Sequence, residues 1–242
     1  MMDYSQEELK KIQKKSLEMA LYFKQFCEEN HLLFYFCGGC CIGTVRHGGF
    51  IPWDDDVDVF MPRRDYEILK RADTTRYAME NSDAYHIDHN LFLNIRDNTT
   101  TFIRPYQTDL DISHGLILDV LPLDGCPSGK FRRKLQLLWA MVYSVDRSQL
   151  VPENHGPLMK LAGQLALAVV PSQKMRYRIW RLAERQMTKY RMEDCEYVTE
   201  LCAGPHYMKN RYPREAFDKA VWRKFEGYDM PIPQGYDAYL RT

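Results

Sequence analysis

Residues 51–60 read Ile-Pro-Trp-Asp-Asp-Asp-Val-Asp-Val-Phe and are the most informative stretch of this chain. Four carboxylates fall within five positions, and apolar residues that predict burial surround them. Buried carboxylates are costly unless a cation or hydrogen-bond donors compensate their charge. The alternation from Asp56 to Val59 has the period of a strand, which would place Asp56 and Asp58 on one face with Cα atoms about 6.5 to 7 Å apart. This arrangement suits a shared divalent cation, which usually means phosphate chemistry.

Composition and charge narrow the class of protein. The 242 residues are 45% hydrophobic, enough for one sizeable core. Thirty-three basic and 33 acidic residues give zero net charge, which argues against a nucleic-acid partner. The N-terminus has no signal-peptide pattern, and the longest apolar run, residues 161–170, is too short to span a bilayer. We therefore expect a cytoplasmic protein, which could work at the inner face of the membrane.

The seven cysteines are irregularly spaced in a chain without secretory features, which favours free thiols. Cys37-Gly-Gly-Cys40-Cys41 looks like half of a zinc site, but the sequence has no second CxxC and no histidine pair with finger-like spacing. Small residues that pack at a strand-to-helix turn are the better interpretation.

The first half of the chain shows alternating helix and strand signals. Ser5-Gln-Glu-Glu8 reads as a capping box for a helix that ends near residue 30. A buried strand at 32–37 leads into Gly38-Gly39, and a short helix at 40–47 follows. After the acidic strand, further elements are expected in this order: a helix at 63–71 and short strands at 85–87, 92–96, 100–104 and 115–121.

From residue 128 onward the pattern becomes mainly helical. We expect helices at 128–147, 157–169 and 172–192, while 198–202 and 221–225 could return to the sheet or line its edge. The prediction is an α+β fold with a mixed β-sheet core and flanking helices. A catalytic core at about 1–126 and a mainly helical completion at about 127–242 would form one domain, 1–242.

The order strand, Gly-Gly, short helix, Asp-apolar-Asp strand, and a later strand bearing Asp119 resembles the nucleotidyltransferase superfamily. Glycines let backbone amides approach phosphate oxygens, and a helix N-terminus adds a favourable dipole. Asp56 and Asp58 would hold Mg²⁺, and Asp119 would be a third ligand or the base for an attacking hydroxyl. Gly39 and Asp56 are 17 positions apart, so a small insertion around residues 46–53 is expected.

The insertion sharpens the resemblance to the LicD family. The segment from Gly38 to Asp58 is the most specific part of this resemblance. Less specific matches follow in the acidic segment near Asp119 and in the C-terminal part. The matching segments are Gly38-Gly39, Gly43-Thr-Val-Arg46-His47, Phe50 through Asp58, Leu118 through Asp124, Pro213 through Phe217, Phe225-Glu226-Gly227 and Tyr239-Leu240. Family members usually continue past the position of Thr242 with an aromatic-Gly-Asp segment.

This resemblance implies a nucleotidyltransferase-like fold and an enzyme that transfers a phospho-alcohol from a CDP-activated donor to a hydroxyl of a cell-surface glycan. The donor alcohol would be choline, ribitol or glycerol, and the acceptor could be lipid-linked. CMP would be released, Mg²⁺ or alternatively Mn²⁺ would be the cofactor, and no covalent enzyme intermediate is needed. The alternatives are nucleotidyl transfer with release of pyrophosphate, and an inactive module that binds a nucleotide or glycan.

The predicted site therefore has three groups of residues. The catalytic residues are Asp56, Asp58 and Asp119. The metal ligands are Asp56 and Asp58, with Asp54 as an auxiliary on the same strand parity. The predicted substrate-binding residues are Gly38, Gly39, Arg46, His47, Trp53 and Arg96.

Each prediction outside the acidic pair has a structural alternative. Arg46 could form a salt bridge to the acidic run instead of binding phosphate. His47 could pack or cap, and Trp53 could be core instead of stacking on the donor. Asp54 could cap a helix or pair with an arginine, and Asp55, which has the opposite parity, is expected to be structural. Asp124 is expected in a turn.

Two further patterns in the sequence have competing interpretations. Asp54, Asp56 and Asp58 match the first ligands of an EF-hand loop, but Val59 stands where that loop needs glycine. Arg178, Arg181 and Arg185 share one face of the helix predicted at 172–192. Beside the apolar helix at 158–170, they could contact a membrane surface or a lipid-linked acceptor, and a solvated helix face is the alternative.

Overall fold

The structure is a computed structural model that describes residues 5–72, 78–80, 90–103, 108–148, 170 and 172–242. The helices are α1 (Gln6–Glu29), α2 (Gly38–Arg46), α3 (Arg63–Leu69), α4 (Lys130–Ser148), α5 (Gln173–Met187) and α6 (Tyr236–Leu240). The strands are β1 (Tyr35–Phe36), β2 (Val57–Pro62), β3 (Ala78–Glu80), β4 (Leu93–Asp97), β5 (Leu116–Cys126), β6 (Tyr197–Glu200), β7 (Tyr212–Pro213), β8 (Ala220–Phe225) and β9 (Tyr228–Pro233).

A mixed sheet of seven strands is the core of the described residues. Its path is β1-β2-β5-β4-β3, and β6 joins β5 and carries β7. The pair β2–β5 is parallel, and the other ladders are antiparallel. The eleven-residue β5 holds the sheet together because β2 lies along one edge while β4 and β6 share the other. The expectation of an α+β fold is confirmed.

Local sequence signals account for the first helices. Ser5 and Glu8 form the predicted capping box, since the Ser5 side chain accepts from the Glu8 amide and the Ser5 amide donates to Glu8 Oε2 at 2.9 Å. One face of α1 then buries Leu9, Met19 and Phe23 at helical spacing. The strand predicted at 32–37 is shorter than expected, because only Tyr35 and Phe36 pair with β2.

The strand predicted at 100–104 is wrong for residues 100–103, which form no strand. Asp97 turns the chain there: its Oδ1 accepts from the Thr99 amide at 2.9 Å, and its carbonyl accepts from the Thr100 amide at 3.1 Å. Arg104 lies outside the described residues, as do the strand predicted at 85–87 and the helix predicted at 157–169.

The second half of the chain contributes strands as well as helices. Residues 197–200 return to the main sheet as β6, whereas residues 220–225 pair with β9 in a separate hairpin. That hairpin packs against the sheet through β9 and β1. The division of the chain at about residue 126 stays a prediction.

The β8–β9 turn fixes the loop that leads into the acidic run. Glu226, at φ 50°, donates its amide to the Gly48 carbonyl at 2.8 Å and accepts from the Phe50 amide at 3.1 Å. A Cβ on Gly49 would lie 2.1 Å from Glu226 Oε1, and one on Gly43 would lie 2.4 Å from the Gly49 carbonyl oxygen. The insertion seen in the sequence is therefore a packed loop between α2 and this hairpin.

Asp124 lies in β5 and is fully buried, so its prediction as a turn residue is wrong. Arg63, the first residue of α3, donates from Nε and Nη2 to the two Asp124 oxygens at 2.8 and 2.7 Å. A bidentate pair of this kind is strong and holds both groups in one geometry. It ties α3 to the central strand.

Among the helices of the described segments, each is too short or too polar to cross a lipid bilayer.

The Arg63–Asp124 pair gives the first prediction. Asp124→Asn leaves the Arg63 charge buried without its carboxylate, so the free energy of unfolding in urea should fall by about 3 kcal/mol or more. Glu67→Gln is the matched control, because Glu67 also contacts Arg63 but is more exposed, and its loss should cost less than about 1 kcal/mol. Equal losses in the two variants would contradict the role given to Asp124.

Candidate active site

The two glycines at the start of α2 let the acidic run lie against the end of this helix. Gly38 has φ +49°, in the left-handed region that favours glycine, and a Cβ there would lie 3.9 Å from Asp58 Oδ2. A Cβ on Gly39 would lie 2.2 Å from Asp54 Oδ2. A side chain at position 39 would displace this carboxylate, which in its present place gains from the positive end of the helix dipole.

Three polar residues form a row across neighbouring strands. Asp58 of β2 pairs in register with Asp119 of β5, and Asp119 pairs with Asn94 of β4, so all three side chains project from one face of the sheet. Asn94 is fully buried, and its Nδ2 donates to Asp119 Oδ1. The Asn94 amide therefore holds the Asp119 carboxylate beside Asp58.

A cavity of about 520 Å³ opens over this row. Its acidic end is lined by Asp56, Asp58 and Asp119 together with Gly38 and Gly39. The remainder of its wall is largely apolar and aromatic, with one further carboxylate. These lining residues include Phe60, Phe92, Leu121, Glu200, Tyr207, Tyr212 and Tyr239.

Asp54, Asp55 and Asp56 form a second grouping at the entry to β2. Each contributes a carboxylate oxygen, and these atoms all lie within 4.8 Å of one another. Asp54 Oδ2 is buried without a hydrogen-bond partner among the described residues, and burial together with Asp55 raises the pKa of Asp54. Oxygen-only donors with an uncompensated buried carboxylate fit a hard divalent cation such as Mg²⁺. Asp55, expected to be structural, belongs to this grouping.

Tyr239 ties α6 to the glycine turn. Its hydroxyl accepts from the Gly38 amide at 2.8 Å, and its ring packs edge-on against Tyr212 with centroids 5.1 Å apart. Phe60 completes the cluster, with ring centroids 5.6 Å from Tyr239 and 6.2 Å from Tyr212. The C-terminal segment therefore forms one wall of the cavity.

Glu200 is the buried carboxylate of this cavity. Its side chain is 1% exposed, and its Oε1 accepts from the Ala203 amide at 2.7 Å and from the Cys202 amide. Oε2 has no hydrogen-bond partner in the part of the chain that the structure describes. Burial raises the pKa of Glu200 to about 7, although the two amides and Arg63 favour its charged form.

The structure separates the other predicted substrate-binding residues from the cavity wall. Arg46 and His47 are exposed at the far end of α2, about 12 Å along the helix from Gly38. Trp53 is 61% exposed in the turn before the acidic run. Arg96 is fully buried on β4, on the same sheet face as Asn94, one alternation further along the strand. Their substrate contacts stay predictions.

All seven cysteines are free thiols, as expected. Cys37, Cys40 and Cys41 are buried around the glycine turn, and burial raises the pKa of the Cys37 and Cys40 thiols well above their ordinary value. A buried thiol with a raised pKa is a poor nucleophile, so these residues serve as small packing groups.

Only part of the predicted membrane-facing helix can be placed. Arg178 and Arg185 are exposed on α5, and Arg181 pairs with Glu184. Residue 170 is the one described position of the apolar segment at 158–170. Contact with a membrane stays a prediction.

The mixed sheet presents paired carboxylates beside a glycine-opened helix, which is the arrangement expected from the resemblance to nucleotidyltransferases. Residues 31–133 match the family model described as "LicD/FKTN/FKRP, nucleotidyltransferase domain". The chain is also similar to the lipopolysaccharide cholinephosphotransferase LicD of Haemophilus influenzae. The two are 24% identical over 241 residues, which cover 93% of this chain and 85% of the relative. These findings confirm the resemblance to LicD-like transferases.

The raised pKa of Glu200 predicts a pH-dependent stability. Below about pH 4.5 the side chain is protonated in both the folded and unfolded states. As pH rises through 7, the unfolded chain ionises first and the folded state loses stability. Between pH 5 and 8 wild type should lose about 2 to 3 kcal/mol of unfolding free energy relative to Glu200→Gln, measured by urea titration.

The exposed neighbour Glu196 supplies the matched control. Glu196→Gln should follow the wild-type pH dependence. Burial also raises the pKa of Asp146 to about 6, but Asp146 is present in wild type and in both variants, so its contribution cancels when the curves are compared. Parallel curves for wild type and Glu200→Gln would contradict the buried, uncompensated state of Glu200.

Proposed function

We propose that this protein transfers a phospho-alcohol from a CDP-activated donor to a hydroxyl of a cell-surface glycan and releases CMP. The supporting observation is that Asp56, Asp58 and Asp119 line one cavity beside the glycine-opened end of α2. Acidic residues at this spacing suit phosphoryl transfer, in which catalysis depends on positioning and electrostatic stabilisation. The proposal places the reaction in the cytoplasm, at the inner face of the membrane.

Asp56 and Asp58 would hold Mg²⁺ or Mn²⁺, and Asp54 would add charge at the edge of this group. When bound, the cation would neutralise charge that develops on the transferred phosphoryl group. The amides of Gly39 and Cys40, at the first turn of α2, would bind phosphate oxygens, since Tyr239 already occupies the amide of Gly38.

We assign Asp119 to the acceptor. Its carboxylate would orient the acceptor hydroxyl and take up its proton as the oxygen attacks the phosphorus that carries the alcohol. The bond from this phosphorus to the CMP oxygen then breaks. Asn94 is a positioning residue, because it touches Asp119 and fixes which oxygen faces the cavity.

The donor and acceptor classes are supported by the relative. That protein is named as a lipopolysaccharide cholinephosphotransferase, which makes phosphocholine the first donor group to test and a lipopolysaccharide-type glycan the first acceptor. Ribitol phosphate and glycerol phosphate are the other members of the donor panel.

The metal-site prediction uses two aspartates and a control. Asp56→Asn and Asp58→Asn should each lower CMP release by about 10²-fold or more, because each removes a charge that holds the cation. The assay supplies CDP-choline, CDP-ribitol or CDP-glycerol, a glycan acceptor and Mg²⁺. Chelation by EDTA should abolish turnover, and added Mg²⁺ should restore it.

Asp229→Asn is the matched control, since Asp229 is an exposed aspartate in the β8–β9 hairpin and should leave turnover unchanged. CMP release that persists in folded Asp56→Asn and Asp58→Asn would rule out this metal site. Release of pyrophosphate from a nucleoside triphosphate instead of CMP would indicate nucleotidyl transfer. Nucleotide binding without any turnover would indicate a binding module.

Asn94→Leu tests the orientation of Asp119. The change keeps the side-chain volume but removes the donor to Asp119, so kcat should fall by about 10- to 100-fold while KM for the donor changes little. Thermal unfolding checks that the variant is folded. Equal kcat values in the folded variant and wild type would show that Asn94 does not position the base.

A further inference from the structure

We propose that the part of the cavity beyond the aspartates is a subsite for a quaternary ammonium group, with the rings of Phe60, Tyr212 and Tyr239 beside the acidic end and Glu200 at the far end. The inference rests on the proposed function and deepens it, because it makes this enzyme selective for a choline-bearing donor over a polyol-bearing one.

Sheet register places these groups on the face that carries the aspartates. Phe60 follows Asp58 by two residues on β2, and Leu121 follows Asp119 by two residues on β5. Glu200 pairs with Leu123, four residues beyond Asp119, and Tyr212 pairs with Val198, two residues before Glu200. The cavity floor therefore changes along one direction, from carboxylates through apolar side chains to Glu200.

Distance separates Glu200 from the metal-binding residues. Four residues along β5 and one strand spacing put the Cα atoms of Asp119 and Glu200 about 14 Å apart. The two carboxylates therefore serve different parts of one ligand. A donor whose phosphates lie at the aspartates would extend its alcohol group over Phe60 and Leu121 toward Glu200.

The state of Glu200 itself points to a cationic ligand. Oε1 is satisfied by two backbone amides, whereas Oε2 is buried in the cavity wall without a hydrogen-bond partner in the described segments. The Arg63 guanidinium is committed to both oxygens of Asp124. A buried carboxylate without full compensation costs free energy, and a cation that enters the cavity would remove that cost.

The aromatic rings favour a quaternary ammonium over a flat base. Interplanar angles of 46° for Phe60–Tyr212, 67° for Phe60–Tyr239 and 74° for Tyr212–Tyr239 turn the rings toward one another at steep angles. They form a corner rather than a parallel slot into which cytosine could stack. Ring faces attract a methylated ammonium through cation–π interaction, and a nearby carboxylate adds charge complementarity.

Polyol groups fit this end less well. Ribitol and glycerol carry hydroxyls that need hydrogen-bond partners when they leave water. Phe60, Leu121 and Phe92 line this part of the cavity and offer none, and two of the polar groups in the lining already bond within the protein, since Asn210 donates to the Tyr212 hydroxyl and the Tyr239 hydroxyl accepts from Gly38. The wall therefore favours the methyl groups of choline.

The test compares CDP-choline with CDP-glycerol in one protein preparation. The measured quantities are kcat/KM for CMP release and Kd from calorimetry, each expressed as the ratio between the two donors. Glu200→Gln should lower the preference for CDP-choline by about tenfold, and so should Tyr212→Leu. Tyr212→Phe keeps the ring face and should keep the preference. Glu196→Gln and Tyr228→Leu, an exposed carboxylate and an exposed ring outside the cavity, are the matched controls.

The outcomes separate the subsite from the proposed function. An unchanged donor ratio in folded Glu200→Gln and Tyr212→Leu overturns the subsite while CMP release by wild type leaves the function intact. Equal loss for both donors would show that Glu200 binds the cytidine they share, which also overturns it. If wild type releases no CMP from either donor, the function fails, and the ratio of Kd values still tests the subsite.

Discussion

The structure depends on the packing of an acidic run against the glycine-opened end of α2. Asp54 lies where a side chain on Gly39 would be, and Asp58 lies beside Gly38, so both carboxylates meet the positive end of the helix. The loop before the run is held by Glu226, and the Gly38 amide is held by Tyr239. Segments 176 and 201 residues apart in the sequence thus converge to fix one set of carboxylates.

Parallel pairing of β2 with β5 brings the carboxylates of the two strands together on one face of the sheet. The register puts Asp58 beside Asp119, and β4 brings Asn94 to the same row. Because β5 is eleven residues long, its second half pairs with β6 after the end of the β4 ladder. Glu200 of β6 therefore lies on the same face of the sheet as Asp119. One long strand therefore links an acidic end and an aromatic end of a single cavity.

The sequence predicted the parts of the site that have a local signal. Asp56, Asp58 and Asp119 stand in strand patterns, and Gly38-Gly39 marks the turn. Asp55 groups with Asp54 and Asp56 because strand parity does not hold in the irregular segment before Val57, and its structural role stays a prediction. Tertiary pairing alone brings in Asn94, Glu200 and Tyr212, which have no distinctive pattern around them, whereas Tyr239 lies in a segment that resembles the LicD family. Trp53 suggested a stacking residue by its type, but its turn leaves it in solvent.

We propose that Asp56 and Asp58 share a divalent cation at the acidic end of the cavity. A crystal of the protein soaked in Mn²⁺ provides a direct test, because anomalous scattering locates the ion independently of any assay. A shared cation should give a peak about 2.0 to 2.2 Å from oxygens of both Asp56 and Asp58, on the side that faces Asp119. A peak held by Asp54, Asp55 and Asp56 without Asp58, or no peak at millimolar Mn²⁺, would contradict it.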